Sequence, residues 1–136
     1  MNTSEKLNRI AEFHGHLGPY LIIGLKMGEL SNEVLGKEGG AGTGHPHKRV
    51  IIKTGLKPPI SCIIDGIQFS SGCTLGKGNI EVVDEQVPEA TFILERKTLT
   101  IKLKKPPAIG NRNLEEIAKE IYHKPNEELF YIIKNY

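Results

Sequence analysis

Residues 19–35 constrain the fold most, because they carry the longest apolar pattern with helical spacing. Gly18 followed by Pro19 is typical of a helix start, since the fixed φ of proline suits the first helical position. Gly24 and Gly28 lie four residues apart on this predicted helix. Glycine inside a helix lowers its stability, so the spacing indicates close packing against a neighbouring element. The apolar positions of this helix are Leu21, Ile22, Leu25, Leu30 and Val34.

The remaining patterns predict further helices around a small sheet. Ser4 can cap a first helix that ends near Phe13, and a helix is expected over 60–70. Asn113 with Glu116 resembles a capping box at the start of another helix, and a last helix should follow Pro125 and carry Leu129, Ile132 and Ile133. Strands are predicted over 49–54, 80–83, 90–95 and 98–104.

This order of elements defines the expected fold class. The last three strands are expected to form an antiparallel meander, and the helices are expected to cover the sheet. The sequence therefore predicts an α+β fold with a small mixed sheet. With 136 residues, a single domain over 1–136 is expected.

Composition gives no support to several classes of function. The net charge of +2 does not indicate a nucleic-acid or membrane partner, and no stretch is apolar enough to span a bilayer. The two cysteines are too few for a secreted disulfide scaffold, and residues 1–9 do not have the pattern of a signal peptide. A cytoplasmic location is the expectation.

Two histidines and two cysteines form the strongest candidate metal site. Imidazole and thiolate suit zinc, iron or another borderline-soft metal, and these ligands would be His14, His16, Cys62 and Cys73. The cysteines flank a predicted helix about 15 Å long, so they share one ion only if the chain reverses after it, as Gly72 allows. The alternatives are two buried, inert cysteines, which is the commoner fate of free cysteine, or a redox pair.

The other candidates are polar residues near these four. Asp65 could be a ligand, the partner of a histidine, a general base, or a solvated carboxylate at the helix edge. Gln68, one turn further, could contact substrate or solvent. The segment around Lys77 fails as a P-loop because it is one residue short and Gly78 replaces Ser or Thr. Lys77 with the nearby glycine amides could still hold a smaller anion.

Other charged or imidazole groups give weaker signals. The lysines at 102, 104 and 105 have the pattern of a solvated strand end that discourages edge pairing. His45 and His47 lie in a glycine-rich segment, where an accidental pair is the simpler interpretation. One histidine of the His-Gly-His run could likewise cap the first helix while the other is solvated.

Three sequence blocks resemble the E subunit of formylmethanofuran dehydrogenase and its relatives. They are FHGHLGP at 13–19, CIIDGIQ at 62–68 and SGCTLGKGN at 71–79, with KPNEELF at 124–130 similar to the usual end of that family. The resemblance implies an α+β domain and a metal site, commonly assigned to zinc, near the His-Gly-His turn and the cysteine segments. It also implies a link to a molybdenum or tungsten enzyme of one-carbon metabolism, whose pterin metal the E subunit does not carry.

The chain departs from the resembled family at one decisive position. Gly18 stands where the family usually has cysteine, and glycine supplies neither a thiolate nor a ligand. Two interpretations follow: a metal-binding protein tied to that metabolism, or a non-catalytic partner or scaffold module that lost part of its site. Whether the chain is an enzyme stays open. The C-terminal zinc ribbon of many relatives is not expected here.

The sequence predicts two kinds of partner. The meander edge and the apolar side chains of Tyr131, Ile132 and Tyr136 favour a homodimer, since two-fold dimers are the commonest assemblies. Subunits of a molybdenum or tungsten enzyme are the other expected partners.

Overall fold

The computed structural model describes residues 1–36 and 48–136 and has helices packed on one five-stranded sheet. The α+β class with a mixed sheet is therefore confirmed. The helices are α1 (Thr3–His14), α2 (Pro19–Leu35), α3 (Cys62–Ser71), α4 (Leu114–His123) and α5 (Asn126–Leu129). The strands are β1 (Arg49–Ile52), β2 (Ile80–Val82), β3 (Glu89–Leu94), β4 (Lys97–Leu103) and β5 (Phe130–Asn135).

The sheet order is β2-β1-β3-β4-β5, and only the β1–β2 pair is parallel. The antiparallel meander therefore consists of β3, β4 and β5 instead of β2, β3 and β4. Helix α3 forms the crossover between the two parallel strands, as parallel pairing requires. One sheet face carries buried side chains towards the helices: Val50, Ile52, Ala90, Phe92, Leu99, Ile101, Leu103 and Phe130.

The prediction of a long last helix was wrong. Helix α5 ends at Leu129 after a single turn, and the chain continues as strand β5, which pairs with β4. Within β5, Phe130 is buried and Tyr131 is exposed, which is the start of a strand alternation. The β-branched Ile132 and Ile133 favour this extended conformation over a helix.

Helix α2 is the centre of the core, as its apolar pattern indicates. Its residues from Leu21 to Gly28 are all buried, and it packs mainly against α3. A Cβ atom at Gly24 would lie 2.8 Å from the carbonyl carbon of Ile63, and one at Gly66 would lie 2.5 Å from the backbone nitrogen of Leu25. The two helix backbones therefore touch, which confirms the packing role predicted for Gly24.

Caps and buried lysines fix the ends of the helices. Asn2, rather than Ser4, caps α1, because its side-chain oxygen accepts the amide of Glu5 at 2.8 Å. Gly18 and Pro19 begin α2 as predicted. Lys26 on α2 donates to two backbone carbonyls at the end of α4, each at 2.9 Å. Among the helices of the described ranges, none has the length and apolar character needed to cross a membrane.

Candidate functional site

The His-Gly-His turn is built by the end of α1. His14 is the last residue of α1, and Gly15 follows in the left-handed region at φ 115°, with its amide bonded to the carbonyl of Ala11 at 2.7 Å. A residue with a side chain rarely adopts that φ, so Gly15 permits the sharp turn. The turn brings His16 back beside His14, with 4.9 Å between the two ring centroids.

His14 is held by a carboxylate on α3. Its Nδ1 lies 2.6 Å from Oδ2 of Asp65, which is in the first turn of α3. Only 11% of the His14 side chain is exposed, against 37% for Asp65, so this bond is partly shielded from water. When Nδ1–H donates to the carboxylate, the neutral ring keeps its lone pair on Nε2. Of the roles left open for Asp65, the geometry supports partner of a histidine.

Gln68 connects this pair to the segment that follows α3. Its Nε2 donates to the second oxygen of Asp65 at 3.3 Å, while its Oε1 accepts the amide of Leu75 at 2.9 Å. Both ends of the side-chain amide are thus bonded within the protein. Gln68 acts here as a positioning residue for Asp65, and its predicted contact with substrate stays a prediction.

His16 is exposed and faces the start of α2. A Cβ atom built on Gly18 would lie 3.3 Å from Nε2 of His16, so a side chain at position 18 would lie directly beside this imidazole. His16 also lines a cavity of about 370 Å³ together with side chains of α1 and α4. It is therefore the histidine of the pair that a molecule from solvent reaches first.

The two cysteines lie in different environments. Cys62 begins α3 one turn before Asp65 and is half-buried. Burial raises the pKa of the Cys62 thiol, and the negative charge of Asp65 raises it further. Cys73 follows the other end of α3, is fully buried in the core, and places its Sγ 3.3 Å from the carbonyl oxygen of Lys48.

The four predicted ligands are thus not gathered at one point. Helix α3 has ten residues and rises about 15 Å, so it keeps the surroundings of Cys62 and Cys73 apart. Among residues 1–36 and 48–136, no three His, Cys, Asp or Glu side chains are grouped to hold one ion. The structure pairs His14 with Asp65 and stacks His16 beside His14, whereas Cys62 lies one turn before Asp65 and Cys73 is in the core.

The segment around Lys77 uses its amides internally. The amide of Thr74 donates to Asn79, that of Lys77 to Thr74, and that of Gly78 to the carbonyl of Leu75. Together with the Leu75 amide bonded to Gln68, these groups are occupied in this conformation. An anion near Lys77 would have to rely on other donors. His45 and His47 lie outside the described residues.

Sequence reasoning missed a second concave surface. Lys104 and Lys105, interpreted as a solvated strand end, line a cavity together with residues of α2, α4 and α5. Two adjacent prolines, Pro106 and Pro107, were the local signal, since they follow β4 closely and restrict the backbone that lines this cavity.

Fold and site together define an α+β domain with a carboxylate-oriented imidazole at a helix junction. A model of the FmdE family, described as "FmdE, Molybdenum formylmethanofuran dehydrogenase operon", matches residues 13–131. The chain therefore belongs to the FmdE family, as the sequence blocks indicated, and this relates it to the formylmethanofuran dehydrogenase operon.

The proteins similar to this chain include a relative from Archaeoglobus fulgidus and a solved structure from Syntrophus aciditrophicus. A probable S-adenosyl-L-methionine-binding protein of Archaeoglobus fulgidus is 32% identical over 89 residues, which are 61% of this chain and 23% of that protein. The chain thus spans about a quarter of that relative. The solved structure of a tungsten formylmethanofuran dehydrogenase FmdE-like protein from Syntrophus aciditrophicus matches with a TM-score of 0.63 at 18% identity. That match covers 97% of this chain and 71% of the other, and it shows a shared fold.

Proposed function

We propose that this chain binds zinc or another divalent transition metal at the His14–His16 turn, with Nε2 of His14 as the first ligand. In this proposal it serves a molybdenum or tungsten formylmethanofuran dehydrogenase as a metal-binding partner. The hydrogen bond between Nδ1 of His14 and Asp65, at 2.6 Å, is the observation that carries the proposal.

This bond has the geometry that prepares an imidazole for a metal. Histidine ligands usually donate their second ring N–H to a carboxylate or carbonyl, which fixes the tautomer and the ring orientation and increases the basicity of the other nitrogen. Asp65 does this for His14, and Gln68 holds Asp65 in turn. The shielding of His14 by the protein keeps that orientation defined.

The remaining donors fit the proposed metal only in part. His16 is near enough to supply a second imidazole, and the thiol of Cys62 adjoins Asp65 on α3. Because the thiol must lose its proton to become a ligand and its pKa is raised, recruitment of Cys62 becomes easier at higher pH. Cys73 is left out of this set because its sulfur is buried in the core.

A divalent transition metal supplies Lewis acidity when it is bound. The chain's own residues divide the other tasks: Asp65 holds the Nδ1 proton of His14, and Gln68 fixes Asp65. His16 faces the cavity from which a small molecule enters.

The first test is metal affinity by calorimetry on protein prepared without a metal-affinity tag. Zinc should bind at one ion per chain, and His14→Ala should weaken binding at least about tenfold, with Asp65→Asn weakening it by about 10–100-fold. His123→Ala is the matched control, since His123 is an exposed histidine at the end of α4. Unchanged affinity in both site variants, or binding clearly below one ion per chain, would contradict the proposal.

A second candidate function is a partner or scaffold module that lost its metal. Gly18 favours it, because the position beside His16 has no side chain to donate. The backbone of Gly18, at φ −139°, accepts a side chain without strain. The variant Gly18→Cys therefore distinguishes the two candidate functions. A large gain in zinc affinity identifies a weakened metal site. No gain in zinc affinity, together with an unchanged partner interaction, favours the partner or scaffold module.

We also propose that the chain forms a homodimer through strand β5. This strand is at the edge of the sheet, and its Tyr131 and Ile133, with Tyr136 directly after it, are more than half exposed. Of the predicted contact residues, Ile132 is half-buried and packs against the core instead. An exposed edge with apolar side chains favours pairing with another strand. Analytical ultracentrifugation should show a dimer that Ile133→Lys dissociates; a monomer in the parent protein would refute this.

A further inference from the structure

A cavity of about 470 Å³ lies where β4 ends, on the side of the molecule formed by α2, α4 and α5. Its floor is apolar and belongs to the core: Ile23, Leu103, Ile121 and Leu129 are each less than 10% exposed. The volume is within the range of about 300–1,000 Å³ that is usual for sites of small organic molecules.

The rim of this cavity is basic. Lys104, Lys105 and Lys124 line it, and Glu128 is the only acidic residue that does so among the described residues. The ammonium of Lys104 is fixed by a hydrogen bond to the carbonyl of Glu127 at 2.7 Å, and a lysine ammonium has three donors. The lining therefore combines three positively charged residues with an apolar floor.

The wall on the third side is stiff. Pro106 and Pro107 line the cavity next to the two lysines that follow β4. Because proline fixes φ, this segment has few alternative conformations in which it could fold into the cavity and close it. The opposite wall is α4, whose end is held by Lys26 through two backbone carbonyls.

We propose that this cavity binds a small organic anion, namely an apolar chain or ring that ends in a carboxylate or a phosphate. In this proposal the apolar body lies against Leu103, Ile121 and Leu129, and the anionic group meets Lys105 and Lys124. The apolar half of the ligand thus meets the apolar floor, and its charged half meets the basic rim. The proposal does not depend on the metal site, which is built by α1 and α3.

The test is a titration followed by the amide signals of the uniformly ¹⁵N-labelled chain. The probes are octanoate, octyl phosphate, 1-octanol as the uncharged match, and inorganic phosphate as the headgroup alone. Octanoate or octyl phosphate should shift amides of 103–108 and 121–129 and bind about tenfold more tightly than 1-octanol, since the lysines add attraction for charge. The two anions distinguish a carboxylate ligand from a phosphate ligand.

Two variants and one control assign the contributions. The double variant Lys105→Gln/Lys124→Gln should lose the preference for the anions over 1-octanol. The control is the double variant Lys57→Gln/Lys97→Gln, which removes the same charge elsewhere and should retain that preference. Ala108→Trp, at an exposed position of the cavity wall, should abolish binding of all apolar probes.

Four outcomes overturn the proposal. The first three are equal affinity for octanoate, octyl phosphate and 1-octanol, shifts confined to other parts of the chain, and binding that survives Ala108→Trp. Shifts of the cavity amides with protein concentration alone would show that a second copy occupies this surface, which also overturns it.

Discussion

The contact between α2 and α3 makes Gly66→Ala the most informative stability test. Gly66 follows Asp65 directly, and a Cβ atom built there would overlap the carbonyl oxygen of Leu21. It would also lie 2.5 Å from the nitrogen of Leu25 and 2.7 Å from the carbonyl carbon of Gly24. All three neighbours are backbone atoms of α2, so no side-chain rotation relieves the overlap.

The magnitude follows from two opposing effects. Alanine is favoured over glycine inside a helix by about 0.5–1 kcal/mol. Ordinary carbon contacts need about 3.5–4.0 Å, so the helices must separate by about 1 Å, and such overpacking destabilises by about 1–3 kcal/mol or more. We expect a net loss of about 2 kcal/mol of unfolding free energy, or about 6 °C in Tm for a domain of this size.

Thermal and urea unfolding, followed by circular dichroism, measure this loss. The matched control is Gly76→Ala, because a Cβ atom at Gly76 has no neighbour within 4 Å, and its change should be within about 0.5 kcal/mol. The same displacement should loosen the bond between Asp65 and His14 and so weaken zinc binding. A Gly66→Ala protein as stable as Gly76→Ala would refute the close-packing argument.

Three further predictions concern buried lysines and the thiols. Lys26→Met should destabilise by about 1–3 kcal/mol, because two carbonyls at the end of α4 lose their donor. Burial lowers the pKa of Lys26, so the native chain releases the Lys26 proton at a lower pH than the unfolded chain does. The difference in unfolding free energy between the parent and Lys26→Met, measured by urea unfolding, should therefore increase as pH rises towards 10.5. Lys48→Met should destabilise similarly, since the ammonium of Lys48 bonds the end of α2; an unchanged urea midpoint would contradict this. At neutral pH iodoacetamide should label Cys62 more slowly than a small free thiol, Asp65→Asn should accelerate the labelling, and Cys73 should stay unlabelled until unfolding, as peptide mass spectrometry can verify.

Local signals predicted helix α2 well and strand β5 badly. Gly18 and Pro19 fix the start of α2, and its apolar pattern extends over more than four turns, so local and tertiary preferences agree. The segment after Leu129 is short, and its isoleucines fit either periodicity over so few residues. Pairing with β4, a long-range contact that no local pattern contains, decides that it is a strand.

The candidate site shows the same division between local and long-range information. The His-Gly-His turn was apparent from residue types alone, because only glycine suits the turn between the imidazoles. The bond from His14 to Asp65 joins positions 51 apart in the chain, and sequence reasoning held it as one alternative among several. The buried position of Cys73 and the lysine-rimmed cavity depend on how several elements pack, which spacing along the chain does not encode.

Anomalous diffraction at the zinc edge, from crystals of tag-free protein grown with zinc, tests the central claim most directly. We expect one peak about 2.0–2.1 Å from Nε2 of His14, with Nδ1 still bonded to Asp65. A peak bonded to Cys73 or to His123 instead, with none at Nε2 of His14, would contradict it.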